Sequence, residues 1–333
     1  MNNNKIRITS SQATQRIDKF LSSFYAEKSR AKWQKIIKSE RVLVNKKIIK
    51  ADYILKEGDE LVISNEAERS EKSINLAIYT ISNIEIIYED DDVIVINKPA
   101  GILSQNAKSS KSPSVSDFLV KHYPEIKNVG EDEMRFGVVH RLDKDTSGVM
   151  IVAKNNRSFE FLKKQFKNRT TQKKYTALVY GIVQPAEGEI NFKIGRSKTK
   201  PNMQTVIDTN KKEDIKSREA LTLYKTIKNF EDYTLLEIQI KTGRMHQIRV
   251  HLKAIGYPVV GDQKYFFKKY RNKDLKLKRQ FLHAGELKLK LLDGKDKIFK
   301  AELASDLEDF LVRCHCEKLR RTTKQSRNYI HCA

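Results

Sequence analysis

Between residues 64 and 80 the apolar periodicity that organises the rest of the chain lapses. Asn65-Glu-Ala-Glu-Arg-Ser-Glu-Lys-Ser73 is polar and highly charged, offers no face to bury, and reads as a linker. A chain interrupted there folds as a small unit followed by a larger one. The expected division is an N-terminal extension over 1–13, a small domain over 14–64, a linker over 65–80, a main domain over 81–312 and a basic tail over 313–333.

In the first unit Ile17, Phe20, Leu21 and Phe24 recur at helical spacing, and Trp33, Ile36 and Ile37 repeat the pattern after a Ser29-Arg30 break. Strands are predicted at Arg41-Val-Leu-Val-Asn45, from Ile48 after a turn at Asn45-Lys46-Lys47, and at Leu61-Val-Ile63 after Glu57-Gly-Asp59. The second unit mixes both periods. Ile84–Tyr88 and Val93–Asn97 flank Glu89-Asp-Asp-Asp92, which reads as a hairpin with a solvated tip or as a cation site. Lys98-Pro-Ala-Gly101 stops the second of those strands. Ser114-x-x-Asp117 before Phe118 is a capping-box signature. Phe159, Leu162 and Phe166 mark an amphipathic helix, and Tyr175–Tyr180 and Tyr233–Ile240 read as strands. Ile248, Leu252 and Ile255 mark a helix that ends at Gly256.

Lys and Arg number 65 against 42 Asp and Glu, a net charge of +23. Such a balance suits a polyanion, either nucleic acid or an anionic membrane, better than a small neutral metabolite. No apolar run reaches the roughly 18 residues of a membrane span. The start, Met1-Asn-Asn-Asn-Lys-Ile-Arg-Ile, has no apolar signal core, so a cytoplasmic location is expected. All three cysteines, Cys314, Cys316 and Cys332, fall near the end, so no disulfide frames the fold. Cys314-His-Cys316 with His331 and Cys332 fits no standard zinc spacing. No phosphate-cradling glycine loop, nucleophile elbow or His-Glu-x-x-His helix occurs, so neither a nucleotide cofactor nor a metal is expected.

Three segments can carry chemistry. In Val138-Val-His-Arg-Leu-Asp-Lys-Asp-Thr-Ser-Gly-Val-Met-Ile-Val-Ala153, a charged loop with Asp143 joins two apolar runs. Nearby cations and burial set the pKa of a carboxylate held there, although the loop alone reads equally as a charge-laced turn. In Lys241-Thr-Gly-Arg-Met-His-Gln-Ile-Arg-Val-His251, a continuous helix would put Arg244, Gln247 and His251 on one face and Ile248 and Leu252 away from it. That face reads as an anion or carboxylate partner, or as a surface with snorkelling cations. Tyr175, opening a strand after two lysines, reads as packing or as a phenol over a base.

Arg141-Leu-Asp143 within His-Arg-Leu-Asp-Lys-Asp-Thr-Ser-Gly148 resembles the signature of RluA-type RNA pseudouridine synthases. The resemblance extends in order through Asn97-Lys-Pro-Ala-Gly101, Lys174-Tyr175 with Ala177, Val179 and Gly181, Thr242-Gly-Arg-x-His-Gln-Ile-Arg-x-His251, Pro258-x-x-Gly261-Asp262 and Leu282-His-Ala284. It covers roughly residues 80–310. The first unit is similar to the alpha-L RNA-binding domain shared with a small-subunit ribosomal protein, a pairing typical of the branch that modifies large-subunit ribosomal RNA.

The resemblance implies an α+β protein: a mixed, mainly antiparallel sheet with flanking helices, preceded by a small α+β RNA-binding domain. It implies a cofactor-free isomerase that breaks the N1–C1′ bond of a uridine, turns the base and joins C5 to C1′. By the same resemblance Asp143 is the catalytic acid, Tyr175 stacks near the base and takes part in proton transfer, and Arg244 pairs with the carboxylate. Arg141 fills the space of the flipped nucleotide, with His140 as active-site support. Arg16, Arg30, Lys38 and Arg41 are candidate RNA contacts in the small unit. RNA is the expected partner, a membrane is not, and a monomer is the expected state. The other readings are a non-catalytic ribosome-assembly factor on the same fold and a metal-dependent nuclease using Asp90–Asp92.

Overall fold

The structure, a computed structural model, describes residues 4–25, 29–38, 42–45, 47–63, 84–105, 112–131, 135–200, 202–207, 216–270 and 277–314. The linker expected at 65–80, Arg41, and Cys316, His331 and Cys332 lie outside these residues. The chain divides into two compact units, Met1–Leu76 and Ala77–Ala333.

The first unit carries helices α1 (Ile17–Phe24) and α2 (Arg30–Lys38). Its sheet runs in the order β1 (Asn4–Arg7), β4 (Glu60–Ile63), β2 (Val42–Val44), β3 (Lys47–Ile48). The periodic residues are its core: Ile17, Phe20, Leu21, Trp33, Ile37, Val42, Val44, Leu61 and Ile63 are buried together. The expected extension is partly wrong in kind. Asn4–Arg7 is an edge strand paired antiparallel with Glu60–Ile63, and Ile8 is buried behind it. Four residues are too short a run for alternation to show in a sequence.

The second unit is built on a nine-stranded sheet. Its path is β5 (Glu85–Glu89), β6 (Val93–Lys98), β7 (Ser147–Ala153), β15 (Leu282–Lys290), β8 (Gln172–Tyr180), β14 (Tyr233–Ile240), β13 (Thr222–Asn229), β9 (Glu187–Ile190). A further strand, β16 (Asp296–Lys300), pairs with β15. Every pairing is antiparallel except β7 with β15. The acidic turn between β5 and β6 is a hairpin tip. Asp90 accepts the amides of Asp92 and Val93 and the Tyr88 hydroxyl.

All seven residues of β7 are buried, as the continuous apolar run from Gly148 to Ala153 requires of a strand covered on both faces. Helices α3 (Val115–His122) and α4 (Asn156–Asn168) cover the β5–β7 half of the sheet. The capping box forms, with Ser114 accepting the Asp117 amide and Asp117 accepting that of Ser114. Helix α5 (Gln247–Ala254) and a helix over 305–314 pack on the β8–β14 half. A small sheet of β10 (Lys193–Arg196), β11 (Gln204–Ile207) and β12 (Ser217–Arg218) lies off the main one. At the parallel seam Gly148 has φ +120°, and a Cβ there would meet the Ala284 carbonyl oxygen at 2.2 Å. Only glycine lets the strand that leaves the Asp143 loop enter the sheet at its centre.

Candidate active site

The loop from Arg141 to Thr146 enters β7, and its backbone is held by side chains from elsewhere. Ser104 accepts the Leu142 amide at 2.9 Å and donates to the Leu142 carbonyl at 2.8 Å. Lys98, fully buried, donates from Nζ to the carbonyls of Pro99, Ile102 and Lys144 at 2.8, 3.0 and 3.1 Å. Burial pushes its pKa down to about 7, against the pull of Asp145 and Asp143. Three acceptors use three hydrogens, so the amine sits there as ammonium. Arg279 donates to the Asp145 carbonyl at 3.1 Å, and the Thr146 amide returns to the Asp143 carbonyl.

This fixed loop presents Asp143 to a cavity of about 320 Å³. Its Oδ2 accepts from Arg249 Nη1 at 2.8 Å, and its Oδ1 lies 4.0 Å from His246 Nε2. Arg249 is buried and forked onto Asp262, with Nε to Oδ2 at 2.6 Å and Nη2 to Oδ1 at 2.9 Å. The Asp262 Oδ1 also accepts the amides of Lys264 and Tyr265. Burial pushes the Asp262 carboxyl up, but Arg249 and those amides outweigh it and hold it below the usual carboxylate range. Arg249 in turn stays charged. Burial works against it, and the carboxylates of Asp262 and Asp143 more than compensate. The Tyr265 ring packs against the guanidinium, 5.1 Å from centroid to Cζ.

Tyr175, on β8, also lines this cavity and is only 8% exposed. Burial first, and the Asp143 charge second, push its hydroxyl well above the ordinary phenol value, so it is a neutral O–H at any physiological pH. Arg141 is exposed at the cavity mouth. A second cavity, about 450 Å³, shares Arg141, Tyr175 and Arg244 with the first and is lined by Arg135, Lys167, Arg169, Lys173 and Lys241. Together they form a cationic trough leading to Asp143, suited to a polyanionic strand.

The predicted pairing of Asp143 with Arg244 is corrected: the partner is Arg249. The segment is not one continuous helix. Helix α5 starts only at Gln247, after His246 takes a left-handed backbone with φ 57°. Arg244 therefore sits on the preceding turn and donates from Nε to the Glu219 carbonyl at 3.1 Å. Gln247 and His251 are buried fasteners rather than an anion face. Gln247 bonds Thr242, Leu221 and Thr222, and His251 bonds Thr222 and the Phe192 carbonyl. Both arginines lie in the same motif, and nothing in one dimension says which points inward.

His140 stands behind the loop. Its Nε2 accepts the Ile151 amide at 3.0 Å and its ring stacks on Phe166 at 4.5 Å. Burial lowers its pKa to about 3, so it is neutral. In the small unit Arg16 and Arg30 both grip the buried carboxylate of Asp18, which Gln34 also contacts. Burial pushes that carboxyl up, and the three hydrogen-bond donors outweigh it and hold it well below the ordinary value. Lys38 is exposed at the end of α2. Sequence reasoning missed Arg249, Asp262, His246 and Tyr265 as a working set. The only signal was their membership of the quoted motifs and of the Asp262-x-x-Tyr265 run that follows.

A mainly antiparallel sheet with an aspartate on a pinned loop, a buried tyrosine and a cationic approach fits an RNA-modifying isomerase of the pseudouridine synthase class. The chain belongs to the RNA pseudouridylate synthase family: residues 92–254 match that family, and residues 15–61 match the S4 domain. It is 38% identical to the uncharacterized RNA pseudouridine synthase YlyB of Bacillus subtilis (strain 168), over 85% of this chain and 89% of that one. It is 35% identical to ribosomal large subunit pseudouridine synthase D of Buchnera aphidicola subsp. Acyrthosiphon pisum, over 93% of this chain and 98% of that one. The solved structure of human RNA pseudouridylate synthase domain containing 4 is similar at a TM-score of 0.57 and 25% identity, over 74% of this chain and 97% of that one.

Proposed function

We propose that this enzyme converts uridine to pseudouridine in large-subunit ribosomal RNA, with Asp143 as the catalytic acid and no cofactor. The observation that carries the reading is the asymmetry of the Asp143 carboxylate. Arg249 holds Oδ2, Oδ1 accepts no hydrogen bond among the described residues, and Tyr175 lines the same cavity as the acid. One oxygen is thus fixed as an anchor and the other is free to act at the ribose. The reaction is redox-neutral. The N1–C1′ bond breaks, C5 bonds to C1′, and the C5 proton leaves while N1 gains one. Tyr175 stacks on or beside the base and takes part in moving that proton, and Arg141 occupies the gap the flipped nucleotide leaves. The small unit adds RNA grip through Lys38 and Arg41. Arg16 and Arg30, already held by Asp18, contribute through their exposed edges. Relatives named as large-subunit enzymes support the choice of RNA, and the cytoplasm and a monomer are the setting that goes with it.

The test is Asp143→Asn. Pseudouridine mapping on ribosomal RNA is expected to show loss of product, with RNA binding kept within a few-fold. Full activity in that variant refutes the assignment.

A further inference from the structure

The Asp143 oxygen that Arg249 does not hold lies 4.0 Å from Nε2 of the His246 imidazole, which lines the same cavity. That is too far for a hydrogen bond between them and leaves the N–H open to a third group.

The state of the ring follows from what holds its other side. The Gln204 amide, which can only donate, gives its hydrogen to the Tyr265 oxygen at 2.7 Å. His246 Nδ1 lies 2.8 Å from the same oxygen and is placed to accept the phenol hydrogen. In that arrangement Nδ1 is the acceptor and Nε2 carries the ring hydrogen, the tautomer the donor role requires. Burial also lowers the His246 pKa, in keeping with a neutral ring. The chain Gln204, Tyr265, His246 runs from the small sheet to the cavity and supports that tautomer. The left-handed backbone of His246, unusual for a non-glycine residue, places the ring there at the start of α5.

We propose that His246 is a catalytic hydrogen-bond donor to the pyrimidine as it leaves the ribose. This rests on Asp143 being the reacting acid. When N1–C1′ breaks, the electron pair goes to the base and charge spreads over N1 and the adjacent O2. A donor about 4 Å from the oxygen that works on the ribose sits across the bond that breaks, within reach of O2. The neutral tautomer is the useful one, because an imidazolium would close onto Asp143 and cover the free oxygen. No proton is transferred. The Nε2–H bond stays intact and only its hydrogen bond strengthens as charge develops.

Two substitutions separate donor from scaffold. In His246→Asn the amide oxygen takes the place of Nδ1 for the Tyr265 hydroxyl, and asparagine tolerates the left-handed backbone, but no donor remains where Nε2 was. In His246→Gln the longer amide reaches that position. Single-turnover rates of N1–C1′ cleavage are measured on a ribosomal RNA fragment transcribed with uridine or with 5-fluorouridine. The fluorine already stabilises the departing base, and because C5 then has no proton to lose, turnover is followed as loss of the N-glycosidic linkage rather than as pseudouridine. On uridine, Asn is expected to be ~100-fold slower at unchanged RNA affinity, and Gln to recover to within ~10-fold of wild type. On 5-fluorouridine the Asn deficit is expected to shrink to ~10-fold. Wild-type speed in the Asn variant, or equal deficits on both bases, overturns the donor role. If Asp143→Asn is dead and His246→Asn is normal, this inference alone fails. If Asp143→Asn is active, the reading of the whole site fails with it.

Discussion

Arg249 reaches Asp143 at 2.8 Å with Nη1 alone, because its Nε and Nη2 are committed to Asp262. The guanidinium therefore aims one donor at the acid from a fixed position. Arg249→Met leaves two carboxylates without their partner, one of them fully buried, and is expected to cost about 3–5 kcal/mol in denaturant unfolding. Arg249→Lys keeps the charge but not the fork, so it should fall between wild type and Met in both stability and activity. Arg244→Met, on the turn outside this pair, is expected to lower RNA affinity while changing stability by less than about 1 kcal/mol. The opposite ranking of the two arginines would contradict the geometry.

Lys98 ties two loops together through three carbonyls, one of them Lys144 beside the acid. Lys98→Met preserves bulk and removes all three bonds. The Asp143 loop then loses its register, and single-turnover rate is expected to fall by at least ~10-fold with RNA affinity nearly unchanged, as positional errors near reacting groups do. Equal rates in the two proteins would mean that Ser104 and Arg279 hold the loop without it.

His140 gives stability a pH slope. The unfolded ring takes up a proton below about 6.5, whereas the folded one resists until about 3, because burial and, after it, the Lys173 charge disfavour the imidazolium. The unfolded state binds more protons in that window, so this contribution is complete above 6.5 and is lost as pH falls toward 3. His246, His251 and His283, whose pKa values burial also lowers, act in the same direction. His140→Gln is expected to flatten the slope by up to about 1.4 kcal/mol per pH unit at its steepest. Urea melts of both proteins at a series of pH values measure the difference.

The trough beside Asp143 should make RNA binding steeply salt-dependent. Lys167 projects into it from the last turn of α4, where alanine is well tolerated. Lys167→Ala is expected to reduce the slope of log affinity against log salt by about 1 without affecting melting. An unchanged slope would place the RNA elsewhere.

Much of this protein was readable in one dimension because local patterns carried it. The buried run of β7, the capping box at Ser114 and the helix periods at Phe20 and Phe159 depend on neighbours within a turn or a strand. The pinned loop was legible only as a charged island between apolar runs. The functions of Lys98, Ser104 and Arg279 were not, since the contacts that tie each of them to the Asp143 loop span 38 or more residues along the chain.

By itself the amino-acid sequence determined the order of the elements, the cationic character and the loop that carries Asp143. The tertiary structure decided which arginine meets that acid. Helix α5 begins at Gln247 and not at Thr242, because the chain turns left-handed at His246 and Gln247 is fastened to Thr222 across the sheet. That starting point turns Arg249 onto Asp143 and leaves Arg244 on the cavity wall, bonded to the Glu219 carbonyl instead. Side-chain direction follows from where a helix begins, and in this segment long-range hydrogen bonds fix that point.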